Sequence, residues 1–145
     1  MGGRGGSGGG GVSEGVGDGV VMVPVDQLDK LSVRYGDPNE SPYFANDKTV
    51  NALVKDMKKN GIKLPVTVET DGKLGLLQDG NHRVAAAKLA GIKSIPTRFT
   101  SASTRYLSRG GGAQMHSSVQ SYLAKNPGSV RADVPRQNSW TQGER

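Results

Sequence analysis

Cysteine is absent from the 145 residues, which excludes disulfides, thiolate metal sites and a cysteine nucleophile. That absence agrees with a reducing, cytoplasmic setting. No basic start is followed by the apolar block of a secretory signal, and no run approaches the ~20 apolar residues of a membrane helix, so a membrane partner is not expected. Aromatic residues amount to 5% and hydrophobic residues to 34%. Both are low enough that only part of the chain can build a packed core. His82 and His116 are the two histidines, too few and too far apart for a structural metal site, so no resident metal is expected. Internal repeats are missing as well.

Glycine and positive charge are plentiful. Of the 22 glycines, 11 fall within residues 1–19, a stretch with almost no apolar side chains, which reads as a flexible arm. It lacks the strand before it and the Lys-Ser/Thr behind it that a phosphate loop requires. The net charge of +6 and pI of about 9.7 suit an anionic partner, either nucleotide or nucleic acid. The alternative is that Lys55, Lys58, Lys59, Lys63 and Lys93 solvate an exposed face. Composition places one folded unit over residues 20–100. Residues 101–145 read as a mostly disordered polar tail, relieved by a short amphipathic helix over 117–125 that can dock on the domain or on a protein partner.

Within the folded unit, the β-branched run Val20–Val25 reads as a strand with Pro24 near its end. Residues 36–42, Gly-Asp-Pro-Asn-Glu-Ser-Pro, concentrate turn formers and predict a surface loop, where Arg34 and Glu40 are the charged groups able to reach a site. Val50, Leu53, Val54 and Met57 recur at i, i+3, i+4 and i+7, the core stripe of a helix over 47–60 that Gly61 ends. Residues 62–70 alternate as a half-buried strand, Asp71-Gly72 signals a hairpin, and residues 73–77 return as its partner. A helix over 81–90 stops at Gly91, and residues 92–99 resume an extended strand.

The chemistry is concentrated in Asp79-Gly80-Asn81-His82-Arg83, where an apolar strand runs through a polar turn into an Ala-rich helix. The first N–H groups of a helix lack internal partners and carry the positive end of its dipole, so an anion is held there. Gly80 permits an unusual backbone conformation and close approach of a ligand. Asn81 can cap the helix and donate its amide, and His82 can donate to a phosphate oxygen or shuttle a proton. Arg83 can clamp phosphate through two parallel hydrogen bonds. Asp79 can hold Arg83, bind a cation or act as a base. The same residues also fit a plain turn, cap and solvated first helical turn.

Together, Gly61-Ile62 with Pro65, the hairpin, Gly80-Asn81-His82-Arg83 and Ile95-Pro96 resemble the N-terminal domain of the ParB/sulfiredoxin superfamily. The resemblance covers roughly residues 21–99. It implies an α+β domain with a mixed sheet and two or three packed helices, flanked by disordered arms. It further implies that Gly80 to Arg83 wraps nucleotide phosphates, ATP in the sulfiredoxin branch and CTP in the ParB branch, accompanied by Mg²⁺, with Gly61 and Pro65 in the first family box. Asn81 stands where sulfiredoxin has its cysteine, so sulfinic-acid reduction is not expected. No helix-turn-helix follows residue 99, so a centromere-binding clamp is not expected either. The Asp-Gly-x-His-Arg form is similar to stand-alone members: small phage and plasmid proteins, nucleotide-dependent kinases and ParB-like nucleases. In the kinase branch an early-loop carboxylate is the base, a place Glu40 matches by region.

Three functions are consistent with these residues. The first is nucleotide binding by Gly80 to Arg83, with hydrolysis or phosphoryl transfer served by Asp79, His82 and Glu40. The second is DNA binding or nuclease action through the same turn. The third is a phage-type adaptor tethered through its arm and tail helix. Oligomeric state has no signature in the sequence.

Overall fold

The computed structural model describes residues 11–14, 19–31, 48–62 and 64–132. In chain order they form β1 (Ser13–Glu14), β2 (Val20–Pro24), α1 (Val25–Asp29), α2 (Lys48–Asn60), β3 (Val66–Thr70), β4 (Leu74–Asp79) and α3 (Asn81–Ala90). There follow β5 (Ser94–Ser101), α4 (Thr104–Arg109), β6 (Ala113–Gln114), α5 (Ser117–Lys125), a 3-10 turn (Pro127–Ser129) and β7 (Val130–Arg131). The architecture is α+β, built on one mixed sheet of order β1-β2-β5-β3-β4-β6, with β7 beside β5. β3 and β7 run parallel to β5, and the remaining pairs are antiparallel.

Strand pleating gives the sheet two different faces. Val21, Val23, Ile95, Phe99, Val66, Val68 and Leu77 project to one side and join residues of α1, α2, α3 and α5 in a single core cluster. Each large side chain fully buried there contributes about 1.5–3 kcal/mol from removal of apolar surface. α3 lies deepest. Its Ala85, Ala86 and Ala87 are completely buried, and their small side chains let α2 pack closely along it. Val50 and Met57 of the α2 stripe are buried, with Leu53 and Val54 partly covered by the same cluster. α4 packs on the other face of the sheet, where its N-terminal neighbour Ser103 caps it by accepting from the Tyr106 N–H.

Several boundaries differ from those the sequence suggests, each for a local reason. β3 begins at Val66 rather than residue 62, because the Leu64 and Pro65 carbonyls bond to Arg83 and not to a neighbouring strand. The hairpin connection is longer than Asp71-Gly72, since Asp71 Oδ1 accepts from both the Lys73 and Leu74 N–H groups and shapes the turn through residue 73. The largest difference follows residue 100. Residues 101–132 add α4, β6, α5 and β7, and Leu107, Met115, Val119 and Leu123 are buried. The helix expected over 117–125 forms as α5, with Val119 and Leu123 buried, whereas Leu107 and Met115 lie in no apolar run and are buried because folded surface receives them. The described residues carry five α-helices, where two or three were expected in the domain besides the short helix over 117–125. Within the expected arm, Ser13–Glu14 pairs with β2. Residues 1–10, 15–18, 32–47 and 133–145, with Arg34, Glu40 and Trp140, lie outside the described residues. No helix among the described residues is long and apolar enough to cross a membrane.

Candidate functional site

β4 delivers the chain to Gly80, which adopts a left-handed conformation (φ 112°, ψ 18°) and serves as the N-cap of α3. Its carbonyl accepts the first intrahelical bond, from the Val84 N–H at 2.8 Å. Two constraints demand glycine here. The positive φ disfavours any side chain, and a Cβ would lie 2.4 Å from Val66 Cγ1. The cap thus brings no side-chain acceptor to the first turn of α3. Asn81, expected as a possible cap, is instead the first helical residue. Asn81 and His82 are both half-buried.

Arg83 organises the ground in front of this turn. Its Nη1 donates to the carbonyls of Leu64 at 2.9 Å and Pro65 at 2.8 Å, while Nη2 meets Asp79 Oδ2 at 3.3 Å. The guanidinium is a planar fork with fixed donor directions, so these bonds tie the loop before β3 to both ends of the β4–α3 turn. The Arg83 side chain is 20% exposed and that of Asp79 63%. Nη1 is committed to backbone, whereas the contact of Nη2 with Asp79 is long and wet, and it is the part of the cluster open to exchange.

Of the residues singled out from sequence, Asp79, Gly80, Asn81, His82 and Arg83 form one continuous turn, and Arg83 brings Pro65 to it. Gly61 has a different local task. It follows α2 with φ 76°, and its N–H returns to the Met57 carbonyl at 2.9 Å, a left-handed helix stop. Glu40 lies outside the described residues. Leu64 and Val66 are not legible as site residues from sequence, since one acts through a backbone carbonyl and the other through its proximity to a glycine, and neither leaves a compositional trace. No group of three or more His, Cys, Asp or Glu side chains able to hold a metal ion occurs among the described residues. A cation at this turn would have Asp79 as its adjacent carboxylate and would take its remaining oxygens from a ligand or water.

A separate cavity of about 490 Å³ lies towards the other end of β3, bordered by Thr70, Asp71, Ser101, Thr104, Gln120 and Leu123 among others. Limited burial acts to raise the Asp71 carboxyl, but hydrogen bonds from Thr104 Oγ1 and from the Leu74 and Lys73 N–H groups outweigh it and hold the group below its ordinary value.

No protein-family model and no curated protein matches the chain. Among solved structures it is similar to the crystal structure of sulfiredoxin from Arabidopsis thaliana, with 19% sequence identity and a TM-score of 0.44. The likeness covers 62% of this chain and 93% of that one.

Proposed function

We propose that the chain is a nucleotide-binding domain whose Gly80 to Arg83 turn receives the phosphates of ATP or CTP, accompanied by Mg²⁺. The observation that carries the reading is the glycine N-cap of α3 with Arg83 held beside it. A helix start capped by glycine turns the positive end of its dipole towards an anion, and Arg83 adds a positive charge on the same turn. The resemblance of the motifs in residues 61–96 to the ParB/sulfiredoxin pattern is what favours a nucleotide over other anions.

Arg83 plays two parts in this reading. Nη1 keeps its bonds to the Leu64 and Pro65 carbonyls and holds the loop in place. Nη2 exchanges Asp79 for a phosphate oxygen, a stronger charge-assisted partner. The released Asp79 then stands beside the phosphates, placed to hold a cation's water or to take a proton. His82, on the same first turn, is the second group for proton transfer. Hydrolysis or phosphoryl transfer is thus assigned to Asp79 and His82 as a property subsidiary to binding.

The test is a thermal-shift panel of ATP, CTP, GTP and UTP with and without Mg²⁺. Stabilisation by ATP or CTP is expected, and no response to any nucleotide at millimolar concentration overturns the reading. Arg83→Ala abolishes the shift but also loosens the loop, so Asn81→Asp is the cleaner variant. A carboxylate at the first helical position favours the helix dipole, preserving the fold, while repelling phosphate. A nucleotide shift undiminished in Asn81→Asp counts against phosphates at this turn.

A further inference from the structure

We infer that the sheet face opposite the core, together with α4, forms a binding surface for single-stranded nucleic acid. Paired residues in neighbouring strands share a face. The register sets Thr67 opposite Arg98, Glu69 opposite Thr100 and Leu76, and Arg131 opposite Thr100. These residues lie on the side away from α2 and α3. α4 covers the β4 and β3 part of this face: a Cβ on Gly110 would meet Leu76 Cδ2 at 3.2 Å, and Tyr106 reaches Glu69. The β5 and β7 portion, with Arg98 and Arg131, stays beside it.

α4 adds what a bare sheet lacks. Arg105 and Arg109 are exposed one helical turn apart, and Tyr106 between them is 41% exposed. With Ser103 and Gly110 they line an open cleft of about 430 Å³. Tyr106 is not a loose surface ring. Its hydroxyl donates to Glu69 Oε1 at 2.8 Å, and Glu69 is 5% exposed, so the ring is anchored at its polar end with its body still in solvent. An aromatic platform held in place loses little freedom when a base stacks on it, and the two arginines, together on the helix face beside the ring, can follow the phosphates of the same strand.

Among the described residues the arginines of this face, Arg105 and Arg109 included, have no ion-pair partner. Arg98 Nε is buried with no hydrogen-bond partner among the described residues. The carboxylates nearest to α4 are engaged, Glu69 by Tyr106 and Asp71 by Thr104. A net charge of +6 points the same way. A single strand is favoured over a duplex because a protruding ring stacks on an unpaired base and has no equivalent surface in a closed helix. This surface is separate from the Gly80 turn, since Gly80 abuts Val66 on one face of β3 and Tyr106 reaches Glu69 on the other.

The experiment is fluorescence anisotropy of the full chain with labelled oligothymidylate and oligouridylate of about 20 nucleotides, and a duplex of equal length, from ~50 to ~200 mM salt. Binding to single strands that weakens with salt is expected, and the deoxy and ribo arms show which sugar is preferred. Arg105→Gln/Arg109→Gln should lower the salt slope by roughly 1.5, as two phosphate contacts on a single strand require. Tyr106→Ala should weaken binding about tenfold with the slope unchanged, and Tyr106→Phe, which keeps the ring, should retain most of the affinity. No binding at low salt, a duplex bound as tightly as a single strand, or variants indistinguishable from the native chain would each overturn the inference.

Discussion

Gly80 and Val66 are in such close register that a Cβ on Gly80 would sit 2.4 Å from Val66 Cγ1 and 2.7 Å from its Cβ. The start of β3 and the start of α3 are thereby locked together at the turn proposed to hold phosphate, before any side chain of that turn is considered. Replacing Gly80 by Ala combines this overlap with a φ of 112°, and a loss of about 3 kcal/mol or more in urea unfolding is expected. Val66→Ala in the same chain should remove the 2.4 Å overlap with Cγ1, while the 2.7 Å approach to Cβ and the φ strain remain. The double variant is therefore less destabilised than the two single losses added together.

Arg83 is expected to matter for stability without any ligand. Arg83→Lys keeps the charge but cannot satisfy two carbonyls and Asp79 with one ammonium, so a loss of about 1–2 kcal/mol follows. Asp79→Ala removes only the exposed 3.3 Å contact and should cost less than about 0.5 kcal/mol. Equal losses in the two variants, compared by denaturant midpoint, contradict the assignment of Arg83 to the loop carbonyls.

Lys88 and Asp29 form an ion pair between α3 and α1 in which the Asp29 side chain is 10% exposed, and Asp29 Oδ1 has no hydrogen-bond partner among the described residues. Removing the lysine leaves this carboxylate uncompensated, and Lys88→Met should cost about 3 kcal/mol at neutral pH. Replacing both partners, as in Asp29→Leu/Lys88→Met, should recover much of that loss, because the stranded charge is gone. The recovery is read from thermal midpoints of the single and double variants.

Asp71 predicts a pH dependence with a definite sign. Its folded carboxyl lies below the unperturbed value of 3.8, so the folded state binds the proton more weakly than the unfolded state. The resulting stabilisation is fully present above pH 3.8 and is lost as the pH falls through the lowered folded value. Asp71→Ala should be less stable than the native chain near neutral pH, with the gap narrowing only at more acid pH. Urea midpoints from pH 6 down to the acid limit of folding check this, and a gap that widens on acidification refutes it.

The reading of the chain from its sequence succeeded where a pattern is local. The α2 stripe of Val50, Leu53, Val54 and Met57 needs only the helical repeat to be seen, and Gly61 and Gly91 stop their helices through backbone geometry that few other residues adopt. The five residues from Asp79 to Arg83 are adjacent, so their place on one strand-to-helix turn was legible before any fold was known. Tertiary structure alone decided what those residues touch. Arg83 meets carbonyls 18 and 19 positions earlier, and any residue type supplies a carbonyl. Tyr106 reaches Glu69 across 37 positions, turning an apparent tail residue into an anchored ring. Leu107 and Met115 are buried because the fold offers surfaces to cover, a driving force that depends on area removed from water and not on spacing along the chain.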